Sequence, residues 1–432
     1  MVNFKNIALA VSVLLGCGLA APAPAAPAAE AGAIIPGSYI ITLKPEVDAV
    51  MAKTHLKWVK GVHKRSLTKR ETEVGVEKTY DSKSGFQGYA GSFDKATIKE
   101  IKKSPDASQA FAVRRQYLNY LVKVLAVEPN RVWKLNRIKS KRSLEKRDEI
   151  IQKKSTWGLG TISHSKKGYK EYIYDDYAGT DMYAYVIDGG VRVTHNEFGG
   201  RAKAAWTNWK GNNKDDDGHG THVAGTIAGK TYGVAKKANI LALKVFNGDE
   251  SDTSIVLDAF NWAVNDIIKK DRTWRAVINM SLGGEKSTAF NKAVDTASKK
   301  GVVTVVASGN DAIDAAKESP GSASTAITVG AIDSNWAVAD FSNWGKTVDI
   351  LAPGVGITSA GHKSNTYTFT EDGTSMAAPH VAGLVLYAMS VEEVEGVADI
   401  TAWLKELATP KKISGNLRGA PNLIANNGNG VQ

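Results

Sequence analysis

Between Ser155 and Ile424, short unbroken apolar segments alternate with longer segments whose apolar residues recur every three or four positions. The first kind predicts buried strands and the second kind predicts helices. The predicted strands lie at 184–187, 240–245, 276–279 and 302–306, and the predicted helices at 221–228, 254–269 and 287–299. Strands that are apolar on both faces and separated by helices are typical of a parallel sheet covered on both sides. The pattern therefore predicts an α/β domain with helices on both faces of its sheet.

The segment before this domain, at about 35–128, has a different pattern. Strand-like stretches lie at 38–43, 89–93 and 120–127, and helical stretches lie around His55 and at 96–101. A Pro36-Gly37 turn signal precedes the first of these strands. The pattern predicts a small, separate α+β domain.

The first twenty residues contain Lys5 and then an apolar run from Ile7 to Leu19. This order predicts a secretory signal peptide at 1–20. A membrane anchor is the alternative, but the run is shorter than the roughly 20 apolar residues that a membrane-spanning helix needs. No later segment is predicted to cross a bilayer, so we expect no membrane partner. The expected location is extracellular, with delivery to a vacuole as the alternative.

Cysteine content narrows the chemistry further. The single cysteine, Cys17, lies inside the predicted signal peptide. Once that peptide is removed, the protein has no disulfide, no cysteine nucleophile and no thiolate metal site. Packing or bound ions must then stabilise the mature chain.

The net charge of +11 comes from the front of the chain. Residues 22–147 hold 25 lysines and arginines against 12 acidic residues, whereas residues 148–432 hold 29 against 32. The basic residues of the front segment are scattered, without a stacking or groove-reading motif, so we expect no nucleic-acid partner.

A stretch crowded with basic residues lies at 134–154 and includes Lys141-Arg142 and Lys146-Arg147. Such a run is typical of a solvated linker, and exposed basic pairs are also natural cleavage sites. We place the domain boundary after Arg147. The chain is then divided into the signal peptide at 1–20, a front segment at 21–147 and a main domain at 148–432.

Three polar residues stand where a strand or a glycine-rich turn meets a helix. Asp188 follows the strand at 184–187, His219 lies between two glycines before a helix, and Ser375 opens the apolar helix after Gly373. Each has a simpler interpretation taken alone. Asp188 could cap a turn, Ser375 could be a helix N-cap, and His219 with His222 could bind a metal, although no third ligand at zincin spacing is present.

Together the three residues occur in the order Asp, His, Ser, which distinguishes subtilisin from chymotrypsin and from the α/β-hydrolases. The chain resembles the subtilisin family of serine proteases and, within it, the fungal proteinase K-like branch. The front segment is similar to that family's inhibitory propeptide. The motifs that carry the resemblance are Tyr185-Val-Ile-Asp-Gly-Gly-Val191, His219-Gly-Thr-His-Val-Ala-Gly225, Asn279-Met-Ser-Leu-Gly-Gly284, Ala307-Ser-Gly-Asn310 and Gly373-Thr-Ser-Met376.

The resemblance implies a secreted serine endopeptidase, synthesised as an inactive precursor and acting as a monomer. Asp188, His219 and Ser375 would form the catalytic triad, and Asn310 would donate to the oxyanion. Protein and peptide substrates, and the protein's own propeptide as inhibitor, are the implied partners. The residues implied to line the first specificity pocket, which would prefer large apolar or aromatic side chains, are Ser281, Leu282, Gly283, Gly284, Ala307, Ser308 and Gly309.

The resemblance also implies structural calcium and no catalytic cofactor. The implied calcium ligands are Asp349 and the carbonyl groups of Ser324 and Ala326. Two other functions compete with proteolysis as interpretations of the sequence. A non-catalytic peptide-binding descendant would lack a triad member, and none is missing. A lipase or esterase would need a Gly-x-Ser-x-Gly elbow, which the sequence around Ser375 does not supply.

Overall fold

A computed structural model describes residues 33–44, 47, 49–66, 75–81, 85–103, 124–135, 152–248 and 250–428. The predicted signal peptide and the predicted boundary after Arg147 lie outside these residues, as does the start of the strand predicted at 120–127. We call residues 33–135 the front unit and residues 152–428 the main unit.

The front unit pairs an antiparallel sheet with two helices, as the sequence predicts for a small α+β domain. A cluster of buried apolar side chains, including Ile41, Tyr89 and Ile101, joins the sheet to the helices. The strands are β1 (Ile34–Leu43), β2 (Gly75–Asp81), β3 (Gln87–Ser92) and β4 (Val124–Leu135), and the helices are α1 (Ala49–Ser66) and α2 (Lys95–Lys102). Strand β1 lies between β3 and β4, and β2 pairs with β3.

The strands of the main unit follow the predicted apolar segments and add shorter ones. They are β5 (Tyr183–Asp188), β6 (Ala202–Thr207), β7 (Asn239–Lys244), β8 (Glu250–Asp252), β9 (Ala276–Met280), β10 (Leu282–Glu285), β11 (Val303–Ala307), β12 (Glu318–Ser319), β13 (Ile327–Ile332), β14 (Ile350–Pro353), β15 (Ile357–Ala360), β16 (Thr368–Glu371), β17 (Thr409–Pro410) and β18 (Leu423–Ile424). Within the described residues, nine of them form one sheet in the order β17-β18-β14-β13-β11-β9-β5-β7-β6. All neighbours in this sheet are parallel except β17 and β18.

Helices cover both faces of the nine-stranded sheet, which confirms the predicted fold class. The helices are α3 (Trp157–Thr161), α4 (His219–Ala228), α5 (Thr253–Lys269), α6 (Thr288–Ser298), α7 (Thr374–Val391) and α8 (Val397–Leu407). Helices α4, α7 and α8 pack in one core, and α5 and α6 pack in the other. The two cores explain why the strands are apolar on both faces.

Among the described residues, α7 is long and apolar enough to cross a membrane, but 89% of the window that meets this test is buried in the protein. The expectation that no segment after the signal peptide had this length and composition is therefore wrong. Helix α7 is apolar on all sides because it fills the core between the sheet and α4.

The two units share a second sheet. Strand β4 leaves the front unit and pairs antiparallel with both β8 and β10 of the main unit. The Glu128 carboxylate accepts from Ser287 Oγ and from the backbone N–H of Thr288, at the start of α6. Asn130 Oδ1 accepts from Ser254 N at 3.1 Å, at the start of α5. These side chains satisfy backbone donors that a helix N-terminus leaves unpaired, so β4 is fixed along its length.

Candidate active site

The Asp188 and His219 side chains meet at the carboxyl edge of the nine-stranded sheet. Asp188 is the last residue of β5, and His219 is the first residue of α4; both are fully buried. His219 Nδ1 lies 2.9 Å from Asp188 Oδ1 and 3.1 Å from Oδ2. Gly220 lets the two segments approach this closely, because a β-carbon there would collide with the backbone oxygen of Gly190. The arrangement fixes the ring so that Nε2 faces away from the carboxylate.

The loop before α4 holds His219 through carboxylates whose role the sequence did not reveal. Asp217 Oδ1 accepts from the backbone N–H of His219 at 2.7 Å, and Asp215 Oδ2 accepts from Thr221 N at 2.8 Å. Asp216 pairs with the buried ammonium of Lys244 at 2.9 Å. Asp215 and Asp217 therefore cap the helix that carries His219, and Asp216 joins the loop to Lys244 of β7.

Electrostatics favour a charged His219 ring. Burial opposes the charge, but the adjacent Asp188 carboxylate outweighs burial and raises the pKa of His219 to about 9, with further contributions from Glu371 and Asp217. Glu371 ends β16 and is only 7% exposed. Its importance could not be read from the sequence, since its approach to His219 depends on how the β15–β16 hairpin folds against α4.

His222, the other candidate of the metal-ligand alternative, has a structural role. Its Nε2 lies 2.9 Å from the backbone oxygen of Ile357, and burial lowers its pKa to about 3. The described residues contain no group of three or more histidine, cysteine, aspartate or glutamate side chains placed to hold a metal ion. His222 therefore positions α4 against β15.

Ser375 is the second residue of α7 and is fully buried. Its Oγ donates to the backbone oxygen of Ser281 at 3.0 Å. His219 Nε2 makes no hydrogen bond to any residue that the structure describes. The serine hydroxyl therefore has a rotamer directed at Ser281 in this structure.

Asn310 lies beside the start of α7. Its Oδ1 accepts from Thr374 N at 2.9 Å and from Thr374 Oγ1 at 2.8 Å. Its Nδ2 is buried and has no hydrogen-bond partner among the described residues. A buried donor without a partner costs stability, so it is usually retained for a ligand or a reaction. The Oδ1 bonds to Thr374 hold the Asn310 side chain next to Ser375. The Nδ2 donor has no partner among the described residues.

The predicted pocket residues lie in two segments beside the start of α7, which we call the two walls. One wall is the segment from Ser281 through Leu282 and Gly283 to Gly284, mostly in β10, and the other is Ala307, Ser308 and Gly309 at the end of β11. Ser281 Oγ donates to the backbone oxygen of Ser375 at 2.8 Å, which ties the first wall to α7.

The front unit covers the first wall with its own backbone. In the register of β4 and β10, Leu282 pairs with Leu135 and Gly283 pairs with Lys134. On the other side of β4, Lys134 pairs with Glu250 and Val132 with Asp252. A peptide strand of this chain therefore lies where main-chain pairing would hold an added strand.

The predicted calcium ligands lie together, since Ser324, Ala326 and Asp349 line one surface cavity. The Asp349 carboxylate is already engaged, because Oδ1 accepts from Lys405 Nζ at 2.8 Å and Oδ2 accepts from Thr328 N at 3.0 Å. An ammonium group thus lies where a divalent cation would need the carboxylate. As these residues are arranged, they do not fit calcium unless Lys405 moves.

Comparison with known proteins supports what this geometry suggests. The model of the subtilase family matches residues 174–427, more than half of the chain. The chain belongs to the subtilase family. A second model, peptidase inhibitor I9, matches residues 38–112 in the front unit.

Relatives match along the whole length. The chain is 47% identical to an alkaline proteinase of Hapsidospora chrysogena, with all of both chains covered, and 45% identical to alkaline protease 1 of Aspergillus flavus, with 99% of this chain and all of the relative covered. The crystal structure of a cold-adapted subtilisin-like serine proteinase is 37% identical, covers 63% of this chain and 98% of its own, and superposes with a TM-score of 0.58.

This subtilase is therefore a serine protease that carries an I9-type propeptide in the same chain, which makes it a zymogen. The resemblance found in the sequence is confirmed, as is the predicted enzyme class. The propeptide is the front unit, and peptides are the substrates of the main unit.

Proposed function

We propose that this subtilase is a secreted endopeptidase of broad specificity, in which Asp188, His219 and Ser375 carry out acyl transfer. The observation that carries the proposal is the fully buried Asp188–His219 pair, whose ring nitrogen Nε2 has no hydrogen-bond partner among the described residues. No other buried imidazole in the described residues has both a carboxylate at hydrogen-bond distance on Nδ1 and an unbonded Nε2.

The reaction follows from what each group can donate or accept. The reactive form is the one with a neutral His219 ring, because only an unprotonated Nε2 can accept a proton. The Ser375 hydroxyl turns from the backbone oxygen of Ser281 toward His219, and its oxygen attacks the peptide carbonyl carbon while its proton moves to Nε2. Asp188 stabilises the imidazolium that forms. The C–N bond then breaks as Nε2 returns the proton to the leaving amine, and water hydrolyses the acyl-enzyme by the same proton route.

Asn310 supplies a donor to the oxygen of the tetrahedral intermediate. Its Nδ2 is the buried donor without a partner, and its Oδ1 bonds to Thr374 keep the side chain still. The backbone N–H of Ser375, at the start of α7, is the second donor. Donors fixed in advance at a buried site stabilise developing charge without reorganisation.

Substrate binds as an added strand between β8 and β10, in place of β4. Backbone pairing ignores sequence, so specificity is broad. The two pocket walls contain glycine and small residues, which leave room for a large apolar or aromatic side chain before the cut bond.

Maturation requires that β4 leave its place between β8 and β10, where substrate would bind. Cleavage after Arg147 by a dibasic processing enzyme, or self-cleavage nearby, would separate the two units and allow the propeptide to dissociate. We propose that the signal peptide directs the precursor to secretion and that the mature protease is a monomer. The calcium site at Asp349 stays a prediction, and Lys405 would have to release the carboxylate before the ion could bind.

The direct test is the Ser375→Ala precursor. We expect full-length protein that does not process itself and that hydrolyses a peptide p-nitroanilide with phenylalanine before the cut bond at background rate. In subtilisin, loss of the equivalent serine costs on the order of 10⁶ in kcat. The exposed Ser364 gives a matched control, since Ser364→Ala should process and cleave as the parent does. Parental activity in Ser375→Ala would refute the proposal.

A further inference from the structure

Glu318 lies where the two walls of the proposed specificity pocket approach each other. It begins β12, which pairs with β10 so that Glu285 faces Glu318 and Gly284 faces Ser319. Its carboxylate also reaches the second wall, because a β-carbon on Gly309 would collide with Glu318 Oε2. Gly309 has a φ of +106°, so both the space and the backbone at this position require glycine. The carboxylate therefore contacts the backbone of the pocket.

Asn343 fixes the orientation of this carboxylate. Asn343 is buried, and its Nδ2 donates to Glu318 Oε2 at 2.8 Å and to the backbone oxygen of Ser308 at 3.0 Å. Its Oδ1 accepts from the backbone N–H of Asp311 at 3.0 Å. The amide thus binds the second wall, the segment after Asn310 and the Glu318 carboxylate together.

A second carboxyl group shares the site. The Asp311 side chain hydrogen-bonds to Glu318, and burial together with this neighbour raises the pKa of Glu318 to about 8. Two carboxyls at hydrogen-bond distance hold one proton between them, and the second negative charge appears only when that proton leaves. The site therefore gains negative charge on Glu318 as pH rises through about 8.

Few other charged groups face this pair. Glu285 lies across from Glu318 on β10 and pairs with Arg131 of the front unit. Lys317 precedes Glu318 and is exposed, Lys286 Nζ donates to the backbone oxygen of Ala316, and the Asp314 carboxylate accepts from Ala316 N. No described lysine or arginine forms an ion pair with Glu318.

We propose that Glu318 and Asp311 form an acidic floor in this pocket, and that the protease accepts arginine and lysine before the cut bond as well as large apolar residues. The inference rests on the proposed function, because that function locates the pocket. A long basic side chain can lay its apolar stem along the glycine-containing walls and place its charged head at the carboxylates. An aromatic side chain can pack between the two walls without reaching the carboxylates. Basic and aromatic side chains therefore fit the same pocket.

The pH dependence has a definite sign. Arginine keeps its charge over the working range, so a second negative charge on the floor strengthens its binding as pH rises through about 8. A neutral isostere such as citrulline gains nothing from that charge. The ratio of kcat/KM for arginine over citrulline therefore isolates the floor from the pH response of the catalytic histidine, which affects both substrates alike.

The experiment measures kcat/KM of the mature enzyme for three p-nitroanilides that differ only in phenylalanine, arginine or citrulline before the cut bond, from pH 6 to pH 10. We expect the arginine-to-citrulline ratio of the parent to rise with pH about a midpoint near 8. In Glu318→Gln we expect a ratio about tenfold lower at high pH and almost independent of pH, since a charge-assisted hydrogen bond is replaced by a neutral one. The exposed carboxylate of Glu406 gives the matched control, and Glu406→Gln should leave the ratio unchanged.

A second variant guards against misfolding. Asp311 is exposed, so Asp311→Asn should fold, and the loss of its charge should move the midpoint of the ratio to lower pH. A ratio in Glu318→Gln equal to that of the parent would overturn the acidic floor while leaving the proposed function intact. Failure of the parent to cleave the phenylalanine substrate would overturn the proposed function and the floor with it.

Discussion

Two buried histidines in this subtilase, one in each unit, show opposite electrostatics. His219 in the main unit has the Asp188 carboxylate on Nδ1, and its pKa is raised to about 9. His55 in the front unit is 4% exposed and its Nε2 contacts the Tyr89 hydroxyl at 3.0 Å; burial lowers its pKa to about 4. Burial disfavours the charged ring in both, and in His219 the neighbouring carboxylates, Asp188 foremost, reverse the outcome.

The difference teaches how to separate a reactive histidine from a structural one. His55 uses Nε2 within the fold and packs at tilted angles against Trp58 and Tyr89, with ring centroids 5.4 and 5.6 Å away. His219 keeps Nε2 without a hydrogen bond among the described residues. The reactive ring thus has a raised pKa and one nitrogen that makes no hydrogen bond among the described residues. Each property can be removed by one substitution.

The largest effect should follow from removing the carboxylate that distinguishes His219. Asp188→Asn keeps the size of the side chain but can present its N–H₂ to Nδ1 and favour the wrong tautomer. We expect kcat to fall by about 10⁴-fold with little change in KM, as the triad geometry predicts. Steady-state kinetics on the phenylalanine substrate would measure this. A matched control is Asp399→Asn in α8, which should retain activity, and a parental kcat in Asp188→Asn would make the carboxylate dispensable.

The second-largest effect should follow from removing Asn310 Nδ2, which, like His219 Nε2, is buried without a hydrogen-bond partner among the described residues. Asn310→Ala removes the donor and also the Oδ1 acceptor of Thr374, while His219 and Ser375 themselves are unchanged. We expect kcat to fall about 100- to 1000-fold with KM nearly unchanged, the cost that loss of such a donor has in subtilisin. A rise in KM with an unchanged kcat would assign Asn310 to substrate binding instead. Asn335→Ala, in the turn before Trp336, is the control.

Much of this arrangement could be predicted from the sequence, for identifiable reasons. The strand at 183–188 has a nearly unbroken apolar pattern, and the glycines around His219 and before Ser375 mark the starts of α4 and α7. Strand β2 has a mixed polar pattern and was not predicted. The pairing of β4 with β8 and β10 joins segments more than 100 residues apart, so no local pattern encodes it. Glu318 and Glu371 were missed for the same reason, because their chemistry depends on which backbone they fold against.

The third prediction tests the structural histidine. Because the pKa of His55 is about 4 when folded and 6.5 when unfolded, the unfolded chain binds more protons between these values. The front unit should lose stability as pH falls from 6.5 to 4, by up to about 3 kcal/mol from this group. Denaturant unfolding of the Ser375→Ala precursor at several pH values would measure the slope. His55→Gln should flatten it, and an unchanged slope in His55→Gln would show that other groups cause it.

The smallest effect extends the comparison to two carboxylates. Asp188 is fully buried beside an imidazole, whereas the Asp349 side chain is 24% exposed and its partner, the Lys405 side chain, is 43% exposed. An exposed pair of this kind contributes about 0.2–1 kcal/mol, so Lys405→Met should cost little stability in the absence of metal.

If the ammonium takes the place of a divalent cation, the melting temperature of the inhibited parent enzyme should respond little to calcium or to a chelator. Lys405→Met exposes the carboxylate and should gain a calcium-dependent rise in melting temperature, because a ligand that binds only the folded state stabilises it. Lys412→Met, an exposed lysine elsewhere, should behave as the parent does. A parent whose melting temperature rises with calcium as much as that of Lys405→Met would show that the ion displaces Lys405 readily and that the sequence-based calcium site is the better description.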